Sequence, residues 1–124
     1  MDEKRRFFRF ESPIKLNFTT VNKRFGGKAK TRDVSRGGIS LSVDKRLARE
    51  DLLDIEFEIP GDNMPVFAQG SVVWVKEHAR KKIFKARNYD VGVKFTEIAR
   101  HDRGKILEHA YAQWLKLKNL KTLK

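Results

Sequence analysis

Apolar and polar residues alternate over most of the middle of this chain, and this alternation constrains the fold more than any other feature. The same spacing recurs in four segments, at 14–18, 39–43, 55–59 and 91–95. A period of two residues is typical of half-buried β-strands, which turn every second side chain toward the core. The run 71–75 is more evenly apolar, as expected of a strand covered on both faces or near one end of a barrel. The middle of the chain is therefore predicted to be β-sheet.

The C-terminal stretch follows a different period. Apolar residues recur there at spacings of three and four, at Ile106, Leu107, Ala110, Tyr111, Trp114 and Leu115. This is the pattern of an amphipathic helix, which we place at 101–118 with Asp102 as a cap and a basic tail at 119–124. We expect the Trp114 stripe to pack on the strands; docking of a partner on this helix is the alternative.

Turn signals divide the strand segments. Phe25-Gly26-Gly27-Lys28 predicts a hairpin turn between a strand ending near Arg24 and one starting near Ala29, and Pro60-Gly61-Asp62-Asn63 predicts a second turn. A short helical turn is expected between Asp44 and Asp54. Short antiparallel strands followed by one helix predict a single all-β domain over 1–124, a β-barrel at 11–97 that the helix closes or caps.

Charge sets the class of partner. The chain has 28 Lys and Arg against 16 Asp and Glu, a net charge of +12, and such an excess attracts anions. Nucleic acid, a membrane surface and a phosphate-bearing small molecule are the candidates. The chain has no cysteine and no apolar run near the ~18 residues of a membrane span, so we expect a soluble, cytoplasmic protein without disulfides.

Catalytic and metal-binding patterns have little support. His78, His101 and His109 lie in a charged loop and on the predicted helix, and none of them shares a face with a second ligand at metal-binding spacing. Ser35 has no base near it in the sequence. We therefore predict neither an enzyme nor a metal site nor a cofactor.

Two polar clusters carry more information. The first is the basic segment Lys4-Arg5-Arg6-Phe7-Phe8-Arg9-Phe10, in which Arg5 and Arg9 are four residues apart. Guanidinium groups bind phosphate through two parallel hydrogen bonds and stack on bases, and the phenylalanines would anchor the segment to the barrel. A solvated basic N-terminus is the alternative.

The second cluster is Asp33-Val34-Ser35-Arg36-Gly37-Gly38, directly before the strand segment at 39–43. Asp and Ser side chains readily bond back to the backbone, and paired glycines permit a positive φ or the close approach of a ligand. A carboxylate at this place matches the two donors on the edge of guanine. An ordinary turn between strands is the alternative.

Together the clusters resemble the two-part signature of the PilZ domain family. Arg-x-x-x-Arg stands at Arg5 and Arg9, and Asp-x-Ser-x-x-Gly at Asp33, Ser35 and Gly38. The strands Gly70-Ser71-Val72-Val73-Trp74 and Tyr89-Asp90-Val91-Gly92-Val93-Lys94-Phe95 are similar to two further family motifs. The chain departs from the family at Arg49-Glu50-Asp51, where many relatives carry a glycine before the next strand.

The resemblance implies a six-stranded antiparallel β-barrel with a C-terminal α-helix that binds cyclic di-GMP. Residues 1–10 would then be a flexible arginine arm that orders over the ligand, with Arg5 and Arg9 on phosphates and a guanine face. Asp33, Ser35 and Gly38 would line the guanine and ribose side. The expected ligand contacts are Arg5, Arg6, Arg9, Asp33, Ser35, Arg36, Gly37 and Gly38.

Such a receptor would act as a monomer or weak dimer and would signal to a downstream protein partner. Two alternatives stay open. The first is a basic β-barrel that binds nucleic acid, which the basic loop at 76–87 and the lysine-rich tail favour but the inward positions of most aromatics do not. The second is a PilZ-like adaptor that has lost the dinucleotide.

Overall fold

The computed structural model describes residues 9–61, 63–78 and 88–122, which form a closed antiparallel barrel, one additional strand and a C-terminal helix. The elements are β1 (Arg9–Glu11), β2 (Lys15–Thr20), β3 (Gly26–Ser35), β4 (Gly38–Val43), β5 (Leu52–Phe57), β6 (Val66–His78), β7 (Asn88–Glu97) and α1 (Arg100–Thr122). Residues 1–8 of the expected arm lie outside the described residues, whereas Arg9 and Phe10 belong to β1.

The barrel closes because β3 pairs on both of its edges. The strands follow the order β1-β3-β2-β5-β6-β7-β4, and a further pairing of β3 with β4 joins the ends. Strands β2 to β7 are thus the six strands of the barrel, and β1 is the additional one. This confirms the predicted fold class.

β1 and β2 lie end to end along the same edge of β3. β2 pairs with the first half of β3, from Gly26 to Lys30, and β1 pairs with the second half, from Asp33 to Ser35. Thr31 holds the junction: its hydroxyl donates to the Ser12 carbonyl (2.5 Å) and accepts from the Ile14 amide (2.8 Å). The Ser12 carbonyl and the Ile14 amide therefore keep hydrogen-bond partners where the strand is interrupted between β1 and β2.

The alternating residues fill the barrel, as their period predicts. The fully buried side chains include Ile14, Leu16, Val34, Ile39, Leu41, Leu53, Ile55, Phe57, Val66 and Val72. Phe57 and Phe95 meet edge to face inside, with ring centroids 6.4 Å apart. Because these large side chains fill the interior of the barrel, we expect a ligand to bind on its outer surface.

The helix packs on the barrel through Ile106 and Ala110, both buried, and on β1 through an aromatic cluster. Phe10 lies 5.5 Å from the ring of Tyr111 and 5.7 Å from that of Trp114, both edge to face. The helix starts at Arg100, so Asp102 lies in its first turn, where the helix dipole favours a carboxylate, and is not its cap. It also continues to Thr122, beyond the predicted end at 118. No helix in the described part of the chain is both long and apolar enough to cross a membrane.

The first hairpin turn precedes the glycine pair that was expected to form it. The turn spans 21–25, and Gly26 and Gly27 already belong to β3. The Asn22 side chain accepts from the Thr20 hydroxyl (2.7 Å) and the Arg24 amide (3.0 Å), which satisfies the turn without a glycine. The hairpin turn predicted at 25–28 was wrong, because the hydrogen bonds of the Asn22 side chain form the turn at 21–25 instead.

The segment between β4 and β5 is a loop, so the helical turn expected there was wrong. Leu47 is buried beneath it, which accounts for the apolar spacing, and the Ala48 amide donates to the Asp51 carboxylate (2.8 Å). Glu50 has a φ of +74°, a left-handed conformation that favours glycine. The strained residue thus stands where the sequence departs from the family's glycine. At the second predicted turn, Gly61 has a φ of +86°, which confirms the turn at Pro60 and Gly61.

Candidate functional site

Strand β1 brings the arginine segment to the end of β3 that carries the Asp-x-Ser-x-x-Gly residues. Arg9 pairs with Ser35, and Glu11 pairs with Asp33. The Arg9 guanidinium reaches diagonally to Asp33, where Nη1 lies 2.5 Å from Oδ1. Both side chains are about one-third exposed, at 33% and 29%. The two motifs that lie far apart in the sequence therefore meet in one accessible ion pair.

A β-bulge in β3 gives Asp33 its outward direction. The pairing with β4 shifts between Thr31 and Asp33, so that β3 has an extra residue there. Thr31 and Val34 are both buried, and the two residues between them consequently face outward. Regular alternation would have sent one of the two, Arg32 or Asp33, into the core.

The turn between β3 and β4 is held tightly to β7. The Ser35 hydroxyl donates to the Gly38 carbonyl (3.3 Å), and the Gly37 carbonyl accepts from the Phe95 amide (2.9 Å). A Cβ on Gly38 would lie 2.0 Å from the Val93 carbonyl oxygen. Glycine is thus required at 38 because β7 passes so close, rather than for a left-handed φ.

A lateral row of paired residues crosses the outer surface of the barrel from β3 to β6. It consists of Asp33, Ser40, Gly92 and Trp74. With strands about 4.8 Å apart, the row is roughly 14 Å long. Trp74 is 40% exposed, and its indole covers Gly92 so closely that a Cβ there would lie 2.1 Å from Nε1. The row ends on an accessible aromatic ring that our sequence reasoning treated only as part of a strand motif.

A second ion pair lies beside the row, where Asp90 pairs with Ser42 two residues further along β4 and β7. Arg32 Nη1 lies 2.5 Å from Asp90 Oδ2, and the Ser42 hydroxyl donates to Asp90 Oδ1 (3.1 Å). Asp90 is buried, and these contacts join β3, β4 and β7. This group has no sequence signal of its own, because its members belong to three separate strands.

The other predicted ligand residues have different placements. Arg5 and Arg6 lie outside the described residues, as does the tip of the basic loop at 79–87. Arg36 is exposed in the β3–β4 turn and lines a cavity with Arg100 and Arg103, a cavity that includes neither Arg9 nor Asp33. The structure thus brings together Arg9, Asp33, Ser35 and Gly38, and it adds Trp74. In the described part of the chain, no group of three or more His, Asp and Glu side chains could hold a metal ion.

Comparison with solved structures shows the same fold in several bacterial proteins. The PilZ domain of Escherichia coli YcgR, solved with c-di-GMP, has a TM-score of 0.72 at 14% identity, over 97% of this chain and 98% of that one. The MrkH–c-di-GMP complex of K. pneumonia has a TM-score of 0.69 at 16% identity, over 95% and 55%. The Bacillus subtilis inhibitor of motility MotI has a TM-score of 0.68 at 13% identity, over 93% and 53%.

This chain spans about half the length of MrkH and MotI and nearly the whole YcgR domain. At these identities the likeness establishes the fold. A search of curated protein sequences finds no match. The sequence model of the family described as PilZ domain matches residues 3–112, which is most of the chain and includes both motifs. The chain therefore belongs to the PilZ domain family.

Proposed function

We propose that this protein is a receptor for cyclic di-GMP rather than an enzyme, and that it binds the dinucleotide on the outer surface of the barrel between Arg9 and Trp74. The observation that carries the proposal is the meeting of the two motifs, in which β1 pairing joins Arg9 to Asp33 beside the Ser35–Gly38 turn. Solved structures of the same fold with c-di-GMP bound, those of the YcgR PilZ domain and of MrkH, support the choice of ligand.

The Arg9–Asp33 pair has the chemistry of both halves of such a ligand. The guanidinium offers a planar fork to a phosphate, and the carboxylate offers two acceptors to the N1–H and amine of guanine. Each group of the pair satisfies the other, which keeps both in position at the surface. Ligand would replace this ion pair with two charge-assisted contacts, one on each partner.

Trp74 offers a face for the base. Its ring is accessible, and it lies in the same lateral row as Asp33, roughly three strand spacings away. A purine whose edge bonds to Asp33 would extend over Ser40 toward the indole, which itself covers Gly92. Stacking on an aromatic ring is a common way to hold a nucleobase.

The arm and the signal complete the proposal. Arg5, Arg6 and Gly37 are proposed as further contacts, with the part of the arm before β1, residues 1–8, ordering as its positive charges are neutralised by the phosphates. The arm and ligand together would then form a new surface for a downstream protein partner.

Substitution of Arg9 tests the proposal. A charge-assisted hydrogen bond contributes roughly 1.5–3 kcal/mol, so Arg9→Ala is expected to weaken c-di-GMP binding about tenfold or more. The measurement is fluorescence anisotropy of labelled c-di-GMP with the full chain.

Arg24→Ala is the matched control, because it removes the same charge from the turn at the opposite end of β3. It should leave the affinity within about twofold, the small change expected from a screened, distant charge. An equal loss in both variants would show that only net charge matters, and no loss in Arg9→Ala would refute the role of the pair.

A further inference from the structure

A cavity between the β3–β4 turn and the start of α1 is lined by three arginines. Arg36 contributes from the turn, and Arg100 and Arg103 contribute from the first turn of the helix. The cavity measures about 550 Å³, and Ile98, Gly104 and Leu107 complete its lining. This is within the ordinary size range of small-ligand sites.

The positive charge in this cavity is not neutralised within the described part of the chain. There, none of the three guanidinium groups forms an ion pair, in contrast to Arg9 and Arg32. Arg103 Nε is moreover buried without a hydrogen-bond partner. A buried N–H group in this state has lost its water without gaining an acceptor, so turning the Arg103 side chain toward a bound anion would cost this group no hydrogen bond.

The side chains that line the cavity suit an oxyanion such as phosphate. Three planar guanidinium groups can donate to several oxygens at once, which suits the three or four oxygens of a phosphate. The cavity also adjoins the N-terminal end of a 23-residue helix, where the dipole and the free amides favour negative charge.

We propose that Arg36, Arg100 and Arg103 form a second anion site, which binds a phosphate group independently of the Arg9–Asp33 site. Arg36 would then belong to this arginine cavity rather than to the guanine side of the first site. The phosphate could come from a second dinucleotide molecule or from a separate phosphorylated compound, and both sources require the same three side chains. The inference holds whether or not the first site binds c-di-GMP.

The test is a nuclear magnetic resonance titration of the full ¹⁵N-labelled chain with inorganic pyrophosphate. Saturable shifts are expected at the Gly104 amide and at the Arg103 Nε–H. Arg100→Ala and Arg103→Lys should each weaken pyrophosphate binding about tenfold, as read at Gly104, because each removes guanidinium donors. Lys116→Ala, an exposed charge on the same helix about 20 Å away, should leave the affinity unchanged.

Two further measurements separate this site from the first and identify the source of the phosphate. Arg9→Ala should leave the pyrophosphate shifts at Gly104 intact, even where it abolishes c-di-GMP binding. A calorimetric count of c-di-GMP that falls by one molecule in Arg103→Lys would identify a second dinucleotide as the source, and an unchanged count would identify a separate compound. The proposal is overturned if the Gly104 amide does not shift with pyrophosphate, or if Arg100→Ala and Arg103→Lys bind it as the wild type does.

Discussion

At the scale of single residues, the site depends on glycines that let strands and rings approach one another. Gly38 admits the Val93 carbonyl, and Gly92 admits the indole of Trp74. Each contact leaves less room than a methyl group needs. Composition and turn rules predict glycine in a turn, as at Gly61, but these two approaches arise from strands that are distant in the sequence. The sequence predicted Gly38 for a positive φ or the close approach of a ligand, whereas the structure shows the close approach of β7.

Gly92→Ala is expected to destabilise the protein because its methyl group would overlap Trp74 Nε1. Overpacking of this kind costs about 1–3 kcal/mol of unfolding free energy. Thermal denaturation followed by tryptophan fluorescence would measure both the loss and the displacement of the ring.

Gly27→Ala is the matched control, since a Cβ at this exposed β3 position meets nothing within 4 Å. It should leave stability unchanged or slightly raised, because glycine is unfavourable inside a strand. Equal melting temperatures for the two variants would contradict the assigned contact.

At the scale of elements, β1 is the part that the sequence did not reveal. Its three residues are too few for a periodic signal, and its polar and charged ends match the expectation of a flexible arm. Strands β2, β4, β5 and β7 were predictable because each contains an alternating segment, and the helix was predictable from its spacing of three and four. β1 and the residue after it contact a helix about 100 residues later, and no local pattern encodes such contacts.

Phe10→Ala tests how β1 is held in place. The variant loses the edge-to-face contacts with Tyr111 and Trp114, so the β1 amides should exchange faster with solvent. Because Arg9 precedes Phe10 in the same short strand, c-di-GMP affinity should fall several-fold. Hydrogen exchange and calorimetry measure the two effects.

Phe67→Ala is the control variant. Phe67 is 57% exposed and lies on β6 where that strand pairs with β5, and β6 pairs with neither β1 nor β3. Its β1 exchange and its affinity should match the wild type. Protection of β1 that survives Phe10→Ala would show that the helix does not secure the strand.

At the scale of the whole molecule, a net charge of +12 surrounds a site built from one local ion pair. The overall charge raises the rate at which any polyanion is captured, whereas the arrangement of Arg9, Asp33 and Trp74 sets which anion stays bound. Charge alone would also suit nucleic acid, the alternative that the sequence left open. On the described part of the barrel, the buried Phe18, Phe57 and Phe95 are unavailable for stacking on a nucleic-acid strand.

Ionic strength separates these two contributions. Raising salt from about 0.05 M to about 0.5 M should slow c-di-GMP association several-fold and change dissociation much less, because screening acts mainly on long-range attraction. Stopped-flow tryptophan fluorescence gives both rates. An association rate that does not depend on salt would show that the net charge has no part in capture, and oligonucleotide binding without any dinucleotide response would favour the nucleic-acid alternative.

The most direct test of the central claim is a calorimetric titration of the wild-type chain with c-di-GMP and, separately, with c-di-AMP. Recognition of the guanine edge by Asp33 predicts saturable binding of c-di-GMP and binding of c-di-AMP at least about tenfold weaker, because adenine lacks the paired donors that a carboxylate accepts. Absence of saturable heat with c-di-GMP, from protein that still melts cooperatively, would contradict the proposed receptor function. Equal affinity for the two dinucleotides would contradict the role of Asp33.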